Sequence, residues 1–148
     1  MKFRAWDKKE KRMFSVWRLT FSGVNHPEVE ELVNRPHPRF KLEEAILKHH
    51  QSDIVIMQYT GLKDMKQKEI YEGDIVRVVF RKCDEFHPEE CAEYVYIAIV
   101  RFDEDSFSFV LDIPRNTTLD YRKLTTADEV EVIGNIYENP KLIKRIEN

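Results

Sequence analysis

Hydrophobic and polar residues alternate with a period of two through much of the chain. Over residues 13–21 the side chains Trp17, Leu19 and Phe21 fall on one face and Arg18 and Thr20 on the other, the signature of a half-buried strand. Residues 2–7 are aromatic-rich in the same way. The two runs flank a charged segment, Lys8-Lys9-Glu10-Lys11-Arg12, so they predict a β-hairpin with a polar turn that ends at Ser22-Gly23.

Residues 25–52 follow a different rhythm. Pro27 followed by Glu28–Val33 reads as a short helix, with proline in its first turn and acids where the helix dipole favours them. Pro36 and Pro38 break it. Leu42, Ala45, Ile46 and His49 then stand at i, i+3, i+4 and i+7, the stripe of an amphipathic helix.

From Ile54 onward the strand pattern returns. Val76, Val78 and Phe80 line one face of a run in which Arg77 and Arg81 point away. Further strands are predicted at 94–102, 107–111 and 129–138, with an acidic, proline-interrupted loop or helical turn at 81–93. Short connections suit an antiparallel meander. A sheet of four or five short strands hides its inner face and its edges best by curling into a small barrel. Gly73 suits a sharp turn and Gly134 a bulge. The expected fold is therefore mainly β with a small helical insertion (α+β): a hairpin-plus-helix region over 1–56 and a barrel over 57–148.

Composition narrows the classes. With 148 residues and 42% hydrophobic content, the chain can bury about 70% of its unfolded surface and needs no staples to fold. Net charge is −3, which argues against a generally basic nucleic-acid binder. The charge is uneven, however: residues 1–20 carry Lys2, Arg4, Lys8, Lys9, Lys11, Arg12 and Arg18 against Asp7 and Glu10. Two cysteines are too few for a disulfide framework. One bridge is possible on spacing, but reduced thiols in a cytosol are the simpler reading. No apolar run approaches the ~20 residues of a membrane span, and charges interrupt the N-terminus where a signal core would lie. A cytoplasmic protein is expected.

Candidate chemistry is sparse. Cys83, His87 and Cys91 are spaced to share a helix face and suit zinc, with His49 or His50 as a remote fourth ligand, but Pro88 disturbs that helix and an ordinary polar loop is the simpler reading. His49 falls on the apolar stripe, where a hydrogen-bonded core histidine is the plainer role. Asp103, Glu104 and Asp105 lack the glycine and distal glutamate of a calcium loop. Glu129 and Glu131 fit an acid pair less well than an exposed strand face. Neither a nucleophile elbow nor a glycine-rich phosphate loop occurs among four glycines. No catalytic, cofactor or metal site is expected. The hairpin cations Lys8, Lys9, Lys11 and Arg12 are the candidate nucleic-acid contacts, since cations neutralise phosphates while aromatics stack on bases. Against this, Phe3, Trp6, Phe14 and Trp17 would be core residues and the charges only solubilising.

Three separated motifs stand in order: Phe3-Arg4-Ala5-Trp6-Asp7; Met57 to Asp64 with Lys68 to Val76; and Glu131 to Pro140. In these the chain resembles the YopX family, proteins of phages and prophages in mostly Gram-positive bacteria with no assigned biochemical activity. The resemblance implies an SH3-like barrel in the C-terminal half. Where family members often place Asn-Gly, this chain has Met65-Lys66-Gln67, so a wider turn is expected there. The expected function is a non-enzymatic binding module acting on protein, including itself as a homo-oligomer, in the cytoplasm of a bacterial host. Nucleic-acid binding through the hairpin is the alternative, and a metal-dependent enzyme the third reading.

Overall fold

The computed structural model describes residues 2–22, 26–35, 43–87, 91–113 and 123–143. The chain divides into two compact units, Met1–Gln58 and Tyr59–Asn148.

In the first unit, β1 (Phe3–Asp7) and β2 (Arg12–Ser15) form the expected hairpin in part, with Arg4 opposite Ser15 and Asp7 opposite Arg12; the run expected as one strand over 13–21 breaks after Ser15, and its remainder joins another sheet. On its other edge β1 pairs with the start of β6 (Ile54–Lys63), from Phe3↔Gln58 to Asp7↔Ile54. A second sheet has the order β3-β4-β5: Arg18–Ser22, His26–Arg35 and Glu43–His49. Ala5, Phe14, Val29 and Ile54 are buried together, and Val16, Leu19 and Ile56 pack against them.

The helices expected over 25–52 are strands instead. Ala45 and His49 share one sheet face, opposite Val33 and Val29, whereas Ile46 turns to the other face opposite Leu32. Leu42, the first member of the expected stripe, lies outside the described residues. A four-residue apolar stripe satisfies helix and strand templates alike, and a helix this short is marginal alone. Pairing between β4 and β5 decides it. Pro27 is tolerated because β3 pairs His26–Glu30 and β5 pairs Val29–Arg35, so among the described residues β4 has a single neighbour at that point.

In the second unit the end of β6 pairs with β7 (Glu69–Tyr71), with Gly61 at φ +85° in the irregular stretch between Tyr59 and Lys63. Then β8 (Asp74–Cys83), β9 (Cys91–Asp103), β10 (Ser108–Asp112) and β11 (Glu129–Asn135) form an antiparallel sheet of order β10-β9-β8-β11. It curls into a half-barrel around Ile70, Val76, Val78, Phe80, Ala98, Val100, Leu111, Ile113, Leu124 and Val132. Gly73 occupies its turn at φ +79°, and the register of β11 slips between Val132 and Gly134, a bulge. A 3-10 turn, Leu124–Thr126, precedes β11, and α1 (Pro140–Ile143) follows it.

The loop expected over 81–93 is shorter than its composition suggested. Residues 81–83 continue β8 and 91–93 begin β9, so Cys83 stands directly opposite Cys91 and the two form a disulfide. The reduced-thiol reading is corrected by this register, which spacing alone does not reveal.

Candidate interaction surface

The motifs that carry the family resemblance fix turns. Asp64, 3% exposed, accepts the N–H groups of Lys66 (2.8 Å) and Lys68 (2.9 Å) on Oδ1 and that of Val132 (3.0 Å) on Oδ2. Burial pushes its pKa up, but the N–H groups of Val132, Lys68 and Lys66 outweigh burial and leave it lowered. Met65-Lys66-Gln67 accordingly makes a wider turn, with Gln67 at φ +65° and its N–H on the Asp64 carbonyl. Asp74 closes the Gly73 turn by accepting the Tyr71 N–H at 2.8 Å. Asn135 Oδ1 accepts the N–H groups of Tyr137 and Glu138, and Asn139 Oδ1 that of Asn135. Each of these side chains accepts at least one backbone N–H. They organise chain reversal rather than chemistry.

The hairpin cations are largely engaged. Asp7 Oδ1 accepts the Lys9 and Glu10 N–H groups and so shapes the turn; the Glu10 bond is the chief reason its pKa is lowered. Lys8 Nζ donates to the Ser52 carbonyl at 3.0 Å, and Lys9 Nζ pairs with Asp53 at 2.7 Å. Arg12 forks onto both oxygens of Glu31 at 2.7 and 2.6 Å and reaches Glu10 through Nε. Lys11, at φ +53°, is exposed.

Behind Arg12 lies a cluster that the sequence reading did not assemble. His49 Nε2 is 3.1 Å from Glu31 Oε2, His49 Nδ1 is 3.6 Å from Asp7, and the ring stacks on Phe14 with centroids 4.3 Å apart. The Arg12 fork is the main cause of the lowered Glu31 pKa. Both imidazole nitrogens face carboxylates and Phe14 covers the ring. The cluster ties β1, β2, β4 and β5 together. The only sequence signal for it was the polar member of an apolar stripe, His49. Of the expected core aromatics, Phe14 is buried and Trp17 is 45% exposed beneath the Arg18 guanidinium.

The other candidates are not brought together as sites. Cys83 and Cys91 are consumed by their disulfide, and the His87 N–H bonds Asp84. Among the described residues no cluster of three or more His, Cys, Asp or Glu could hold a metal. His50 bonds Ser52. Asp103 accepts from Ser106, while Glu104 and Asp105 are exposed. Glu129 pairs with Arg81 and Glu131 with Lys66, so each acid of β11 has its own cation. A shallow groove of about 380 Å³ in the second unit is lined by Leu62, Met65, Ile70, Leu124 and Val130 among others.

Large apolar side chains are exposed at several places, Phe86 and Phe107 most of all, and three of them lie on the β4–β5 ladder. Leu32 (42% exposed) and Ile46 (47%) face each other across it, and Leu47 is 42% exposed on the opposite face. Nearer β3, the face that Leu32 and Ile46 share carries the charged row Arg18, Glu30, Lys48 and Glu28, linked by contacts of 3.4–3.7 Å.

No helix among the described residues is long and apolar enough to cross a membrane. No curated protein matches the chain. Among solved structures, protein EF1440 from Enterococcus faecalis is similar, with 27% identity, coverage of 96% of both chains and a TM-score of 0.59. The family described as YopX protein matches residues 2–144. By that match, which spans both units, the chain belongs to the YopX protein family.

Proposed function

We propose that the protein is a non-enzymatic interaction module of phage or prophage origin that associates with copies of itself in the bacterial cytoplasm. The observation that carries this reading is the exposed apolar pair Leu32–Ile46, which sits beside a charged row on the same sheet face. Exposed apolar patches rimmed by polar residues mark contact sites. The C-terminal unit is an SH3-like barrel in this reading; its support is the strand order β10-β9-β8-β11 and the 3-10 turn before β11. Self-association is favoured over nucleic-acid binding by Lys8, Lys9, Lys11 and Arg12, because the charges of Lys9 and Arg12 are already neutralised by Asp53 and Glu31.

Sedimentation equilibrium from low to high micromolar concentration tests the reading. A mass that rises with concentration is expected. A strict monomer throughout counts against it.

A further inference from the structure

We infer that two copies of the chain join along β5, antiparallel and centred on Ile46; this inference rests on the self-association reading above. β5 is the edge of its sheet, and among the described residues its ladder partner is β4 alone. It runs seven residues without proline. Such an edge is a pairing template unless something blocks it. Two edges of the C-terminal unit are occupied: the Met65 N–H bonds the Val130 carbonyl (3.0 Å) and Asp64 takes the Val132 N–H beside β11, while Lys123 bridges Val110 on β10.

The side chains of β5 are self-complementary. With a two-fold axis through Ile46, that residue meets Ile46 of the second copy, Ala45 meets Leu47, and Glu44 meets Lys48 twice, an exposed lysine whose contacts with Glu28 and Glu30 of its own chain are long, at 3.4 and 3.7 Å. An axis perpendicular to the sheet keeps each residue on its own face, so Glu44, Ile46 and Lys48 stay on the Leu32 face. Moving the centre to Ala45 sets Glu44 against Ile46. Moving it to Leu47 sets Lys48 against Ile46. The Ile46 register alone of these three aligns opposite charges, and cross-strand charge pairs favour one register while mismatches oppose the others. It also merges the exposed Leu32–Ile46 pair of each copy into one apolar strip across a six-stranded sheet. The contact is isologous and closes at a dimer.

Three variants of the full chain test this: Glu44→Lys, Lys48→Glu, and Ile46→Cys in a Cys83→Ser/Cys91→Ser background. Each charge variant places like charges opposite one another twice, and dimerisation should weaken at least about tenfold. Mixing the two should restore a heterodimer, because both contacts become attractive. The Ile46→Cys chain should cross-link as a dimer under mild oxidation, whereas Thr20→Cys on β3 in the same background should not. If Lys48→Glu fails to fold beside Glu28 and Glu30, Glu44→Lys and the cross-link decide alone. A wild-type assembly that survives Glu44→Lys, together with an Ile46→Cys chain that gives no cross-link, overturns β5 pairing while leaving self-association standing. A monomeric wild type overturns both.

Discussion

Replacing Asp64 by alanine isolates the role of a family motif. Three backbone donors lose their acceptor: the N–H groups of Lys66, Lys68 and Val132, at 2.8, 2.9 and 3.0 Å. Lys66 and Lys68 are exposed, so their N–H groups turn to water and each bond forfeits about 0.5–1 kcal/mol. Val132 is buried, 9% exposed, and its orphaned N–H costs about 1–3 kcal/mol. The expected destabilisation is therefore about 2–5 kcal/mol. With a urea slope of about 2 kcal/mol per molar, the midpoint of the second unit should fall by about 1–2.5 M. Circular dichroism during urea titration reads the midpoint, and hydrogen exchange at the Val132 amide reads the local effect. Asp64→Asn, which keeps an acceptor for the turn but not for Val132, should fall between. An Asp64→Ala midpoint within ~0.5 kcal/mol of wild type, at unchanged slope, would refute the idea that the motif acts by satisfying backbone donors.

Gly134→Ala places a Cβ 2.6 Å from Asn139 Oδ1, the acceptor for the Asn135 N–H, and should cost about 1–3 kcal/mol; the loss should shrink in the Gly134→Ala/Asn139→Ala double variant, and strict additivity of the two changes counts against the clash. Glu31→Gln should lower stability at neutral pH by about 1–3 kcal/mol by breaking a largely buried charge pair, discounted because Arg12 is half-exposed. Because the folded pKa of Glu31 is lowered, its stabilisation is full above the unfolded carboxyl pKa and is lost as pH falls through the folded one. The drop in Tm between pH ~6 and ~3 should thus be shallower in Glu31→Gln, and an identical pH profile would contradict this. Reducing the Cys83–Cys91 bond, which closes a sequence separation of 8, should cost at most about 2.5 kcal/mol. The site is an exposed ladder end, so unfolding of the whole second unit on reduction would show the bond carries more than it can by loop closure.

The C-terminal strands were legible because their runs are long and rich in β-branched and aromatic residues. Val76, Val78 and Phe80 are buried on one face as period two requires, while on the other Arg77 is exposed and Ile75 and Val79 are buried too. Gly73 and Gly134 were legible as a turn and a bulge because few other residues suit those places. β4 and β5 were not legible, because Ala45, Ile46 and His49 fit a helical stripe equally well. The charge cluster was hidden for a different reason. Arg12 and Glu31 are 19 residues apart and His49 and Glu31 are 18 apart, and nothing in local spacing brings them together.

By itself the amino-acid order determined that this protein is rich in strands, where its second half turns, and which family it resembles, since those properties follow from side-chain period and from backbone demands at single positions. The tertiary structure alone decided that β4 and β5 are strands, that Cys83 meets Cys91, that Lys9 and Arg12 are spent on carboxylates, and that Ile46 is exposed on a strand whose one ladder partner among the described residues is β4. Each of these is set by ladder register between distant segments, and register is a property of pairing energies summed over both partners, which neither segment carries alone.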